Sequence, residues 1–115
     1  MKRQYTTEPT DRFDKNVKAL SKKYRSLPGD LRNFEKELLE NPTMGEEIIR
    51  NVRKVRMAIT SKGKGKSGGA RIITCNVLID VETAKIYLLT IYDKSEQQSI
   101  SKQEIAHLKA IHGLG

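Results

Sequence analysis

Phe13, Val17, Leu20, Tyr24 and Leu27 are spaced 4, 3, 4 and 3 residues apart, with mostly polar residues between them. That spacing draws one apolar stripe along a helix. Thr10 and Asp11 supply caps at its start, and Pro28-Gly29 is its expected end. A second helix is expected from near Asp30, with Leu31, Phe34 and Leu38 on one face and Asn41-Pro42 as its stop. The short Pro-Gly connection makes the two an antiparallel helical hairpin. Residues 42–51 read as a connector, with one helical turn at Glu46–Ile49.

The apolar period then changes from helical to alternating. Val55, Met57 and Ile59 alternate with Lys54, Arg56 and Ala58, giving a strand with one apolar and one basic face. Residues 70–79 form a second strand, whose odd positions Ile73, Cys75, Val77 and Ile79 are expected to look inward. Arg71 shares their parity. Either it lies beyond the edge of the core, or a bulge at Gly68-Gly69 resets the face. After the turn "DVETAK", residues 86–92 read "IYLLTIY" and are apolar on both parities, as in a central strand covered on both sides. Ser101 and Glu104 make a capping box, Ile100 and Ile105 a hydrophobic staple, and Ile105, Leu108 and Ile111 the apolar face of a last helix. The expected order is α-α-β-β-β-α. This is an α+β fold: an N-terminal helical hairpin packed on a small twisted antiparallel sheet, then a C-terminal helix. One domain is expected over residues 1–115, with residues 1–10 as a flexible N-terminus.

Charge sharpens the picture. The net charge is +8, and Arg50, Arg53, Lys54, Arg56, Lys62, Lys64, Lys66 and Arg71 occur within residues 50–71 without a single acid. The remaining chain carries equal numbers of acids and bases. So the whole excess lies in one strand–loop–strand segment, the electrostatic footprint of a polyanion-binding face. Its loop, "KGKGKSGGAR" at 62–71, contains the second half of a nucleotide-binding P-loop, Gly65-Lys66-Ser67. The first glycine of that motif should fall at Thr60, and a helix should follow where "ARIITCNVLI" reads as a strand. The P-loop reading therefore fails, and nucleic-acid phosphate is the better match. No apolar run is long enough to span a membrane, and "MKRQYTTEPT" lacks the apolar stretch of a signal peptide. Cys75 is the one cysteine, expected buried, and a cytoplasmic location follows.

The helical hairpin, the "KVR" strand, the loop ending in "GGAR", the segment "IYLLTIYDKSE" and the short final helix resemble the RelE/ParE superfamily of bacterial toxins, in its HigB-like branch. The resemblance spans about residues 10–111. It implies the toxin of a type II toxin–antitoxin system: a ribosome-dependent endoribonuclease that cuts messenger RNA and arrests translation. The implied partners are a cognate helix-turn-helix antitoxin, the ribosome and mRNA, with no membrane and no small-molecule cofactor. Cleavage by the ribose 2′-OH requires a base, charge stabilisation on the phosphorane and an acid at the leaving oxygen. No metal is expected, and the sequence has no His, Cys and acid cluster with ligand spacing.

Carried over by position, Lys54 and Arg56 match two basic residues on the first strand, and Arg71 matches the arginine after the glycine loop. Arg71 is the expected clamp on the scissile phosphate. Lys54 and Arg56 are expected to stabilise the transition state, with Lys54 a candidate base or acid. Lys94 and Glu96, in "YDKSE", complete the implied polar set. The family's arginine and tyrosine after the final strand fall here on Ser95 and Ser101, which leaves Tyr92 as the substitute phenol. Arg53, Lys62, Lys64 and Lys66 are expected to hold RNA backbone, the lysines on a mobile loop. His107 is a further candidate, while Asp80, Thr90 and Asp93 read as turn or structural residues. Two alternatives stay open: a ParE-like inhibitor of DNA gyrase, and a catalytically decayed homologue that only binds RNA or antitoxin.

Overall fold

The computed structural model describes residues 3–114. Its elements are β1 (Gln4–Pro9), α1 (Asp11–Lys23), α2 (Leu27–Glu40), β2 (Glu46–Ile49), β3 (Val52–Met57), β4 (Ala70–Leu78), β5 (Thr83–Asp93) and α3 (Lys102–Ile111), with a 3₁₀ turn at Thr60–Lys62. The strands make one five-stranded sheet in the order β1-β5-β4-β3-β2. The α+β architecture agrees with the pattern of the sequence. Among the described residues no helix is long and apolar enough to cross a membrane.

Three local expectations are corrected. Residues 4–9 are not a flexible terminus: they form β1, which pairs parallel to β5 and makes the sheet mixed rather than antiparallel. Tyr5 and Thr7 are half-buried while Gln4, Thr6 and Glu8 are exposed, an alternation too short and too polar to stand out in the sequence. Residues 46–49 form edge strand β2, paired antiparallel with β3, not a helical turn. Pro28-Gly29 does not end the first helix. The chain leaves α1 at Tyr24, and Pro28 lies in the first turn of α2, where its missing N–H has no helical partner to lose.

The junction of β1 and α1 is fixed by Thr10. Its hydroxyl oxygen accepts from the Phe13 amide at 3.1 Å, capping the helix, and lies 2.9 Å from the Leu89 carbonyl of β5. From there α1 and α2 cover one sheet face, placing Phe13, Leu20, Leu31, Phe34 and Leu38 against Val55, Met57, Ile72, Ile86, Leu88 and Ile91.

The opposite face has its own smaller core, in which Ile105 of α3 packs with Val52, Ile73, Cys75, Leu89 and Tyr92. This explains why β4 is buried on both parities from Ala70 to Cys75 and why β5 is buried on both parities from Leu88 to Asp93. Ile73, Cys75 and Val77 do face inward, but toward α3, and Ile79 is exposed. The register of β4 and β5 shifts between Ile73 and Thr74, so the irregularity lies there and not at Gly68-Gly69. Ser101 caps α3 by accepting from the Glu104 amide at 3.0 Å, and Ile100 joins Ile105 in the same cluster. Ile111, expected on the apolar face, is exposed.

Candidate nucleic-acid interface

Strand register brings the candidate residues together. Arg56 of β3 stands opposite Arg71 of β4, and Arg71 stands opposite Tyr92 of β5. These three make one row across the sheet on the α3 side. Lys54 lies two residues along β3, opposite Ile73, and so on the same face as Arg56. Neither expectation for Arg71 holds: it keeps the face of Ile73 and Cys75 and is buried, because the Gly/Lys loop closes over it at the end of the sheet.

Arg71 is only 5% exposed. Its guanidinium donates to the carbonyls of Lys66 and Ser67 in the loop, each at 3.1 Å, and to that of Ala70 at 3.2 Å. Burial and then the neighbouring Arg56 charge push its pKa down, but a guanidinium remains a cation. The expectation of a phosphate clamp is therefore corrected: both terminal nitrogens of Arg71 brace the loop from inside. Arg56 is exposed and, among the described residues, makes no ion pair. Lys54 is half-buried with its ammonium 4.0 Å from Glu46.

Tyr92 is 7% exposed, and its hydroxyl has no hydrogen-bond partner among the described residues. Burial raises its pKa; Arg71 opposes the rise and Glu104 adds to it. The result is a protonated phenol beside a row of cations.

Lys94 hangs from the end of β5, its ammonium 3.2 Å from the Gln98 carbonyl and its amide bonded to Gly69 of the loop. Glu96 is drawn elsewhere: it holds Lys23 of α1 at 2.7 Å and does not join the row. Arg53 also departs from expectation. It has the parity of Val55 and Met57, its side chain is 15% exposed, and it pairs with Glu47 of β2 at 3.5 Å. It is not displayed to a ligand.

The loop is anchored at both of its ends. The Thr60 amide and hydroxyl both donate to Asp30 of α2, at 2.9 and 2.5 Å, and the Ser61 amide donates to Ser26 at 2.8 Å. Lys62 turns inward, its ammonium 2.6 Å from Asp93 and 3.1 Å from the Ser95 hydroxyl. Tyr24 donates to the same carboxylate at 2.5 Å, and the Ser95 amide does so at 2.9 Å. Burial alone would raise the Asp93 pKa, but the bonds from Lys62, Tyr24 and Ser95 outweigh it and hold the carboxyl far below its usual range. Lys62 as an RNA contact is thus corrected: it is one half of a buried ion pair.

Two lysines remain on display. Lys64 is exposed between Gly63 and Gly65, whose φ values of 71° and 63° are left-handed and so favour glycine. Lys66 is exposed and 3.8 Å from Glu37 of α2. At the loop's end, a Cβ on Gly69 would lie 2.2 Å from the Met57 carbonyl, so only glycine fits against β3.

Sequence reading missed Tyr24, Ser26 and Asp30 as loop anchors. Tyr24 was legible only as part of an apolar stripe, and nothing local marks its hydroxyl. His107 is exposed on α3. The arrangement as built offers a polyanion Arg56, Lys54, Lys64 and Lys66 around a braced loop, with a buried phenol at one end of the row. No model of a known protein family matches the chain.

Proposed function

We propose that this chain is a RelE/HigB-like toxin of a type II toxin–antitoxin system, an endoribonuclease that acts on mRNA in the ribosome. The observation that carries the reading is the row Arg56–Arg71–Tyr92, flanked by Lys54, at the end of the sheet beside the basic loop. Lys54 takes the 2′-OH proton as that oxygen attacks the phosphorus, Arg56 stabilises the charge of the phosphorane, and the phenol of Tyr92 gives its proton to the 5′ oxygen as the P–O5′ bond breaks. Lys64 and Lys66 hold the flanking backbone. Lys94, next along the chain, is a further cation for the same strand. The partners of this reading are ribosome, mRNA and a cognate antitoxin, and its setting is the cytoplasm.

The burial of Arg71 favours a second reading, a homologue that binds RNA or antitoxin without cutting, since its guanidinium is already engaged by loop carbonyls. One experiment separates the readings. The chain is induced in bacteria without a partner protein, and translated messages are mapped by primer extension. Cleavage in translated regions, lost in the Lys54→Ala/Arg56→Ala double variant, is expected; naked RNA should be cut poorly. Growth arrest with intact messages and blocked supercoiling would instead identify a gyrase inhibitor. Intact messages with ribosome binding would identify the non-cutting binder.

A further inference from the structure

A lysine in a Gly/Lys run ordinarily extends into water. Lys62 does the reverse: its side chain is 11% exposed, and the Asp93 side chain that receives it is 0% exposed. Such a pair is poor support for stability, because desolvation offsets much of its attraction. What it does supply is geometry. It ties the start of the loop to the end of β5, and Tyr24 ties the same carboxylate to the end of α1. At the loop's far side Arg71 holds the carbonyls of Lys66 and Ser67. The displayed tip, Gly63 to Lys66, is bracketed by two buried cations.

We infer that Asp93 is a positioning residue: through Lys62 and Tyr24 it fixes the loop so that Lys64 and Lys66 meet RNA phosphates already in place. The inference rests on the RNA-binding reading above and adds a residue that touches no RNA. Its sharpest consequence is a sign. Removing an acid near a polyanion site strengthens binding if only charge matters. Removing Asp93 weakens it here, because the tip lysines must then be ordered at the moment of binding.

The test uses the full chain and a short fluorescein-labelled single-stranded RNA, with affinity measured across a salt series and amide hydrogen exchange over residues 60–69. Asp93→Asn and Lys62→Met are each expected to weaken binding about tenfold and to speed loop exchange, with Lys62→Arg recovering much of the affinity. In a Lys64→Ala/Lys66→Ala background, Lys62→Met should add almost nothing, because it acts through those two residues. As an independent phosphate contact it would subtract its own factor and lower the log–log salt slope by about 0.7. An Asp93→Asn variant that binds as well as the parent or better, or an additive cycle, overturns the inference. If Asp93→Asn does not fold, Tyr24→Phe removes one bond and keeps the ion pair; it should loosen the loop and weaken binding a few-fold, and unchanged binding with a loosened loop counts against positioning. A parent protein that binds no RNA at any salt would sink the RNA reading itself, and this inference with it.

Discussion

Arg71 and Tyr92 stand directly opposite each other on β4 and β5, and both are buried, yet the guanidinium bonds loop carbonyls and the phenol hydroxyl bonds nothing described. An unpaired buried hydroxyl is a cost to folding, so the Tyr92 hydroxyl is a group whose removal is informative.

Tyr92→Phe removes the hydroxyl and keeps the ring that packs with Ile73, Leu89 and Ile105. Stability should be unchanged or rise by about 1 kcal/mol, since no hydrogen bond is lost and one desolvated polar group is relieved. Cleavage on programmed ribosomes should fall by about 10²-fold if the phenol is the acid. Urea melts and single-turnover assays read the two effects separately. A clear loss of stability would show that the hydroxyl has a partner after all.

Arg56→Ala removes one of two cations placed directly opposite each other. Like charges so placed repel, so the variant should be more stable by about 0.2–1 kcal/mol. RNA affinity should fall, and the log–log salt slope with it by about 0.7, the share of one neutralised phosphate on a single strand. A variant that is less stable with an unchanged slope would assign Arg56 to packing.

Much of this arrangement was legible in the sequence. Alternation in 54–59 placed Lys54 and Arg56 on one face, and "IYLLTIY" announced a strand covered on both sides. The excess charge lies in the segment that brings Arg56, Lys64 and Lys66 to the surface. What stayed hidden was long-range. Lys62 and Lys64 are indistinguishable by local pattern, and only Asp93, brought in from 31 positions away, turns one of them inward. Arg71 shares the parity of the inward residues, yet its burial was not read from it, because its partners are backbone carbonyls, which carry no residue signature. The strand at Gln4–Pro9 was missed because one apolar residue, Tyr5, gives no period, and its partner strand lies at the other end of the chain.

Arg71→Ala should cost about 2–3 kcal/mol, since the carbonyls of Lys66 and Ser67 lose charge-assisted bonds beneath a closed loop. Arg71→Lys should recover only part of this, because an ammonium cannot reproduce the planar fork that spans two carbonyls. Thermal melts give the ordering parent, Arg71→Lys, Arg71→Ala. Equal stability of all three, with toxicity lost, would restore Arg71 as a phosphate clamp.

Asp93 contributes to the acid limb of the stability curve. Its folded pKa lies below its unfolded value of about 3.9. A depressed carboxylate contributes its stability in full above that unfolded value and loses it as pH falls toward the folded one. In that acid window one bound proton gives a slope of about 1.4 kcal/mol per pH unit. At neutral pH Asp93→Asn should be destabilised by about 3 kcal/mol, because it leaves the Lys62 ammonium buried without its counter-charge. As pH drops below about 4 the parent should lose stability faster than the variant, so the two curves converge. Urea melts at a series of pH values measure the gap directly. A gap that stays constant down to the most acid point would mean that the carboxyl is not held ionised by Lys62 and Tyr24.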